Sequence, residues 1–204
     1  MEAFEQFVAV YLEQQDFVVS SAVKFPFARQ TRRSDHVEIQ THGYEVDLIG
    51  ARGDLLVLAT VKSFLGSRGV VSDHVVGKSK NPVLNKQYAL LNDPDLRRSV
   101  VRQAAKRYGY SIRQVQLSLY VGRFSGPTTG IHEGAVRNWC QKQRIGAGAI
   151  EVRNLNDMVP AVVDAATTGK QYRDNPVLVT MKLLQAAGLL TPNVPAINIV
   201  DEDI

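Results

Sequence analysis

Cysteine is almost missing from this chain. The single Cys140 excludes an internal disulfide and a cysteine-built zinc cluster within one chain, and its neighbours Trp139, Gln141 and Lys142 suit a helix carrying a structural thiol. Histidine is scarce as well, and the separations of His36, His42 and His74 match no standard zinc-ligand spacing. No apolar run reaches the ~18 residues that would span a bilayer, and the start Met1-Glu2-Ala3-Phe4-Glu5 has no basic leader region, so a cytoplasmic protein with no membrane partner is expected. Internal repeats are lacking, and so is a Walker-type phosphate loop. Acid is scarce in one stretch: from Arg97 to Arg144 the basic residues include Arg98, Arg102, Lys106, Arg107, Arg113, Arg123, Arg137 and Lys142, and Glu133 is the one acid. That imbalance suits phosphate binding through counterion release and equally suits solvated helix faces, whereas the overall net charge of +4 decides little.

What is present suffices for a sizeable core. With 204 residues, 45% of them hydrophobic, the chain reads as one domain over 1–190 with additional C-terminal helices, followed by a loose tail over 191–204. Phe4, Phe7, Val8, Tyr11 and Leu12 form the stripe of a first helix, and Glu5 beside it favours the positive end of the helix dipole. Residues 17–25 read as a strand closed by Pro26, with a basic loop Arg29, Arg32 and Arg33 after it. Alternation over 36–41 predicts another strand, turned at His42-Gly43. Asp93, Pro94 and Asp95 are a helix start, and Gly109 is its stop. Further helices are expected over 82–91, 133–144, 156–166 and 175–187, and strands over 115–124 and 147–152. The last helix is more apolar than one buried face needs, which suggests a docked helix or a homodimer contact.

The most informative stretch is Gly43–Ser63. Two apolar strands flank a turn at Arg52-Gly53-Asp54, which predicts a hairpin. Side chains alternate along a strand, so Glu45 and Asp47 are expected on one face, Thr60 and Lys62 on one face, and Asp47 opposite Thr60. An Asp and a Lys at the end of such strands need each other, water or a metal. An ordinary cross-strand ion pair satisfies that need, and so does a catalytic site.

The same residues resemble the PD-(D/E)XK nuclease superfamily, and most of all its Holliday-junction-resolvase-like members. Asp47 matches the acid at the end of one motif strand, Thr60-Val61-Lys62 stands where the family has acid, any residue and Lys, and Glu5 suits the helical acid upstream. The likeness covers about the first seventy residues, and Thr60 departs from it. It implies an α/β fold of the restriction-endonuclease-like type, a central mixed β-sheet flanked by helices. It further implies a metal-dependent DNA endonuclease with Mg²⁺, or Mn²⁺ in its place, held by Asp47 with Glu45 or Glu5 and the Val61 carbonyl. Lys62 would orient the attacking water, and Thr60 would offer only a hydroxyl. Glu45, or less directly Asp73, would stand in for the missing acid. Arg29, Arg32, Arg33, Arg68, Lys78, Lys80, Arg102 and Lys106 are the expected DNA contacts, in a possible homodimer. The alternative is a relative that no longer cuts and serves as a nucleic-acid-binding or assembly module.

Overall fold

The computed structural model describes residues 2–32, 37–126, 130–168 and 175–190, and the side chains of 30–32, 37 and 38 are outside that description. In chain order the elements are α1 (Ala3–Glu13), β1 (Val18–Arg32), β2 (Val37–Arg52), β3 (Leu55–Lys62), α2 (Ser72–Val75), α3 (Pro82–Lys86), α4 (Ala89–Asn92), α5 (Pro94–Tyr108), β4 (Val115–Val121), α6 (Ile131–Lys142), β5 (Arg144–Ile145), β6 (Gly148–Ala149), β7 (Glu151–Arg153), α7 (Leu155–Thr167) and α8 (Pro176–Ala186). Five strands form one sheet in the order β1-β2-β3-β4-β7, and β5-β6 is a separate small hairpin. The first two pairings are antiparallel and the last two parallel. The chain is therefore α/β with a mixed central sheet. No helix among the described residues is long and apolar enough to cross a membrane.

Strands β3 and β4 are mostly apolar because helices cover both of their faces. Leu56, Leu58, Leu117, Leu119 and Val121 pack with Leu96, Val100 and Val101 of α5 and with Val136 and Cys140 of α6. On the opposite face Val57, Ala59, Val61 and Tyr120 pack with Phe4, Val8 and Leu12 of α1 and with Met158 and Val162 of α7. Burial pushes the Cys140 thiol up to about 12, which makes it inert at neutral pH. The excess apolar surface of α8 is partly used in docking: Leu178 is buried beside α1 and α7, with Val177 and Met181 packed around it, while Leu183 stays exposed.

Local signals place the long helix well. Asp93 accepts from the Asp95 and Leu96 amides, Pro94 occupies the first turn, and Gly109 closes the helix at φ 78°. Two expectations about β1 and β2 need correcting. Pro26 does not end β1, which runs on to Arg32, and His42-Gly43 is no turn, since β2 is one strand from Val37 to Arg52. The reason is positional: Pro lacks an N–H, and β1 is an edge strand, so Pro26 leaves no ladder bond unmade there. Carbonyls along this edge are taken by α5. Gln103 Nε2 donates to the Pro26 oxygen at 2.8 Å, and the Arg107 guanidinium reaches the Lys24 oxygen at 3.5 Å. The expected helix over 82–91 is broken into α3 and α4. The expected strand over 147–152 is divided between β6 and β7.

Candidate active site at the ends of β2 and β3

The β2–β3 ladder extends from Arg52↔Leu55 to Leu48↔Ala59, a register that carries Asp47 toward Thr60. There the backbone pairing stops and the Asp47 side chain takes over. Its Oδ2 accepts the Val61 N–H at 2.7 Å and lies 3.6 Å from Lys62 Nζ. Both side chains are about four-fifths buried, at 23% and 21% exposed, so solvent screens the pair less than it would on an open surface. Alternation along β3 puts Thr60 and Lys62 on the face of Leu56 and Leu58, toward α5. Thr60 is buried, with 4% of its surface exposed.

The strand is irregular at this point. Ala22 of β1, which faces Asp47 by register, has φ 54°, and the regular β1–β2 pairing skips these two residues. Val46 packs with Phe25 and Ile49 on one face, and Leu48 belongs to the other. The period of two thus slips by one between Val46 and Leu48, a break that alternation alone does not reveal. Glu45 goes to the Lys24 ammonium at 3.6 Å across the β1–β2 pair, in an exposed position. Glu5 closes the capping box of α1, its Oε2 accepting the Glu2 amide at 3.0 Å. The dipole reading of Glu5 is therefore the one its contacts satisfy.

A divalent cation such as Mg²⁺ wants near-octahedral oxygen ligands, usually one or two carboxylates with waters and substrate phosphates. Here one carboxylate lies at the strand ends, and one of its oxygens is already shared by an amide and an ammonium. Among the described residues no group of three or more His, Cys, Asp or Glu side chains could hold a metal ion. A Mg²⁺ or Mn²⁺ ion here would have Asp47 as its carboxylate ligand, with waters and phosphate oxygens to complete its shell. Of the histidines, His42 and His74 belong to no such group, and His36 lies outside the described residues.

Tyr44 is the neighbour that motif reading overlooks. Its hydroxyl accepts the Leu90 amide at 3.2 Å. Burial chiefly, with the negative charges of Asp47 and Asp93 adding to it, pushes the phenol up to about 12. Tyr44 also lines a cleft of about 390 Å³ together with Phe27, Arg29, His42 and Lys86. Arg29, expected as a DNA contact, pairs with Asp93 at 2.6 Å while remaining more than half exposed. A second groove, between β1 and α5, is lined by Lys24, Lys106 and Arg107, and the Arg107 guanidinium lies over the Phe25 ring at 5.8 Å. Arg102 is exposed on α5. Arg68, Lys78, Lys80 and Asp73 are exposed around α2, and the Asp47–Lys62 pair is made without them. Arg33 and the side chain of Arg32 lie outside the described residues.

Neither a protein-family model nor a curated protein matches this chain.

Proposed function

We propose that this chain is a nucleic-acid-binding protein on a PD-(D/E)XK nuclease-like fold, using the strand ends of β2 and β3 beside a basic surface to engage a phosphodiester backbone. The observation that carries the reading is the Asp47–Val61–Lys62 arrangement. An acid where the β2–β3 ladder stops is bonded to the next strand one residue before its Lys, with Lys24, Lys106 and Arg107 grouped between β1 and α5. Lys62 is a point charge that a phosphate oxygen would compete for, and exposed Lys and Arg would release counterions from the backbone. The lone carboxylate and the buried Thr60 favour binding without an assembled metal centre.

The other reading, a metal-dependent endonuclease acting on DNA as a homodimer, is favoured by the close approach of Asp47 and Lys62. One experiment separates the two. Supercoiled and branched DNA are incubated with the protein over a Mg²⁺ and Mn²⁺ series, and retention of the same DNA is followed against salt. Binding that falls steeply with salt and no cleavage at any metal concentration supports the first reading. Cleavage that disappears in both Asp47→Ala and Lys62→Ala supports the second. Replacing Arg102 and Lys106 by Ala should lower the salt slope by about 0.9 for each phosphate that is no longer neutralised. DNA that is not retained even at low salt refutes both.

A further inference from the structure

Strands β4 and β7 are parallel neighbours, and the helices that follow them leave to opposite faces of the sheet: α6 packs with the Leu117 face and α7 with the Tyr120 face. Where neighbouring parallel strands send their helices apart, a crevice opens at the carboxyl ends of the strands, and this is the common place for a ligand in open α/β sheets. Such a crevice is present here, about 290 Å³ in volume, and it is lined by Arg123, Ser125, Gly130, Glu133 and Asn154 among others. It is separate from the Asp47–Lys62 pair but adjoins the same strand ends, since the Gly122 amide donates to the Lys62 carbonyl at 2.9 Å.

The two helix starts at the crevice differ. Helix α7 is closed by its own capping box, in which Asn154 and Asp157 satisfy each other's amides. Helix α6 begins at Gly130, φ 63°, with no side-chain cap, and its first internal bond is Gly134 N–H to the Gly130 carbonyl. The amides of Ile131, His132 and Glu133 consequently have no acceptor within the helix, at its positive dipole end. A second observation is independent of the helix. Ser125 is 92% buried, with 8% of its surface exposed, and lines the crevice. Its backbone N–H is fixed on the Val70 carbonyl at 2.9 Å, yet its hydroxyl has no hydrogen-bond partner among the described residues. The hydroxyl oxygen is not sealed inside the protein, so a group in the crevice can bond it.

The charge balance indicates its sign. The Glu133 carboxylate is occupied by Arg137 Nε at 2.8 Å and Asn154 Nδ2 at 2.7 Å. Arg123 has no ion-pair partner among the described residues. First-turn amides with no acceptor in the helix, a hydroxyl with no partner among the described residues and an exposed guanidinium are donors, and a tetrahedral oxyanion accepts from all three.

We propose that this crevice is a phosphate-binding site, in which a phosphoryl group accepts from the first-turn amides of α6, the Ser125 hydroxyl and Arg123. The inference deepens the proposed function, naming a place for a strand phosphate, and rests on it only for the source of that phosphate. A site of this volume is at the small end for ligand pockets and suits a phosphate with part of one nucleotide.

The test uses the full chain in EDTA, so that it is independent of any cleavage. Inorganic phosphate is titrated at constant ionic strength and followed by amide chemical shifts, then by calorimetry on the variants. The expected result is saturable shifts at Ser125, Gly126 and residues 130–133. Affinity should weaken roughly tenfold in Arg123→Ala, the size of one charge-assisted hydrogen bond, and disappear in Ser125→Asp. Ser125→Ala, which preserves the packing, should weaken it about threefold and covers the case in which Asp disturbs the fold. Shifts confined to β1 and α5, no shifts at all, or unchanged affinity in both Ser125→Ala and Arg123→Ala overturns the proposal. Titration with an oligothymidylate, with and without a 5′-phosphate, then gives the source. Tighter binding of the phosphorylated form marks a strand terminus, and equal binding that still competes with inorganic phosphate marks an internal phosphodiester. If no DNA is retained or cut while inorganic phosphate still binds here, the nucleic-acid reading fails and this site stands.

Discussion

Between β1–β2 and β3–β4–β7 the sheet changes from antiparallel to parallel, and its means of stabilisation changes with it. The parallel half is held by burial on both faces: six of the eight residues of β3 are buried, and so are six of the seven in β4. The long β1–β2 ribbon extends past the end of the β2–β3 ladder and is tied to α4 and α5 by polar contacts at Pro26, Lys24, Arg29 and Tyr44. Burial is insensitive to salt and costs much to disturb, whereas single polar contacts contribute little each. The ribbon half is therefore expected to open locally at lower cost than the parallel half.

The sharpest way to test that contrast is to strike the parallel half first. Leu58→Ala, at a fully buried position, should cost about 2–5 kcal/mol of global stability in urea unfolding and lower protection throughout the sheet. At the junction of the halves, Asp47→Ala removes the acceptor of the Val61 amide and the partner of Lys62, and a loss of about 1–3 kcal/mol is expected. Asp47→Asn retains an acceptor for the amide and should lose less, which calorimetry of the three proteins checks. In the ribbon, Gln103→Ala removes the bonds to Pro26 and Ser99, and about 0.5–1.5 kcal/mol is expected. Hydrogen exchange should show that change in β1 and hardly at all in β3 or β4, and equal loss in both halves would break the comparison.

The smallest effect lies beside the parallel half. Burial alone would raise the Asp157 carboxyl, but the Asn154 amide and the Arg137 guanidinium more than reverse it, so it sits below the usual carboxylate range. A depressed carboxyl binds fewer protons folded than unfolded. Its contribution is present above the ordinary value of about 3.9 and is lost as pH falls through its lower folded value. Asp157→Asn should lower the melting temperature modestly at neutral pH and hardly at all well below about pH 3, which flattens the acid limb of the profile.

The legible parts of the fold were those in which a local signal and the tertiary outcome agree. Asp93-Pro94 and Gly109 bound α5 because capping is a matter of adjacent residues, and the hairpin about Gly53 follows from its turn residues and the apolar runs beside them. The approach of Asp47 to Lys62 was legible for the same reason, being a matter of hairpin register. Alternation misplaced Glu45 because the strand slips at Ala22 and Asp47, a distortion that involves the partner strand and that no residue of β2 signals in sequence. Pro26 read as a stop because a sequence does not say which strand will be at the edge. The crevice beyond β4 and β7 was illegible altogether, since it depends on which face each later helix takes.

The closure of β1 by α5 has a consequence for how copies of this chain meet. An edge strand of fifteen residues offers a template for strand addition by any second chain. Here Pro26 denies a donor at mid-strand, Ala22 bends the backbone away from a straight ladder, and Gln103 and Arg107 occupy outward oxygens. Sheet continuation from one molecule to the next is hindered between Ala22 and Pro26. The helix that displays Lys106 and Arg107 thus also guards this stretch of the edge.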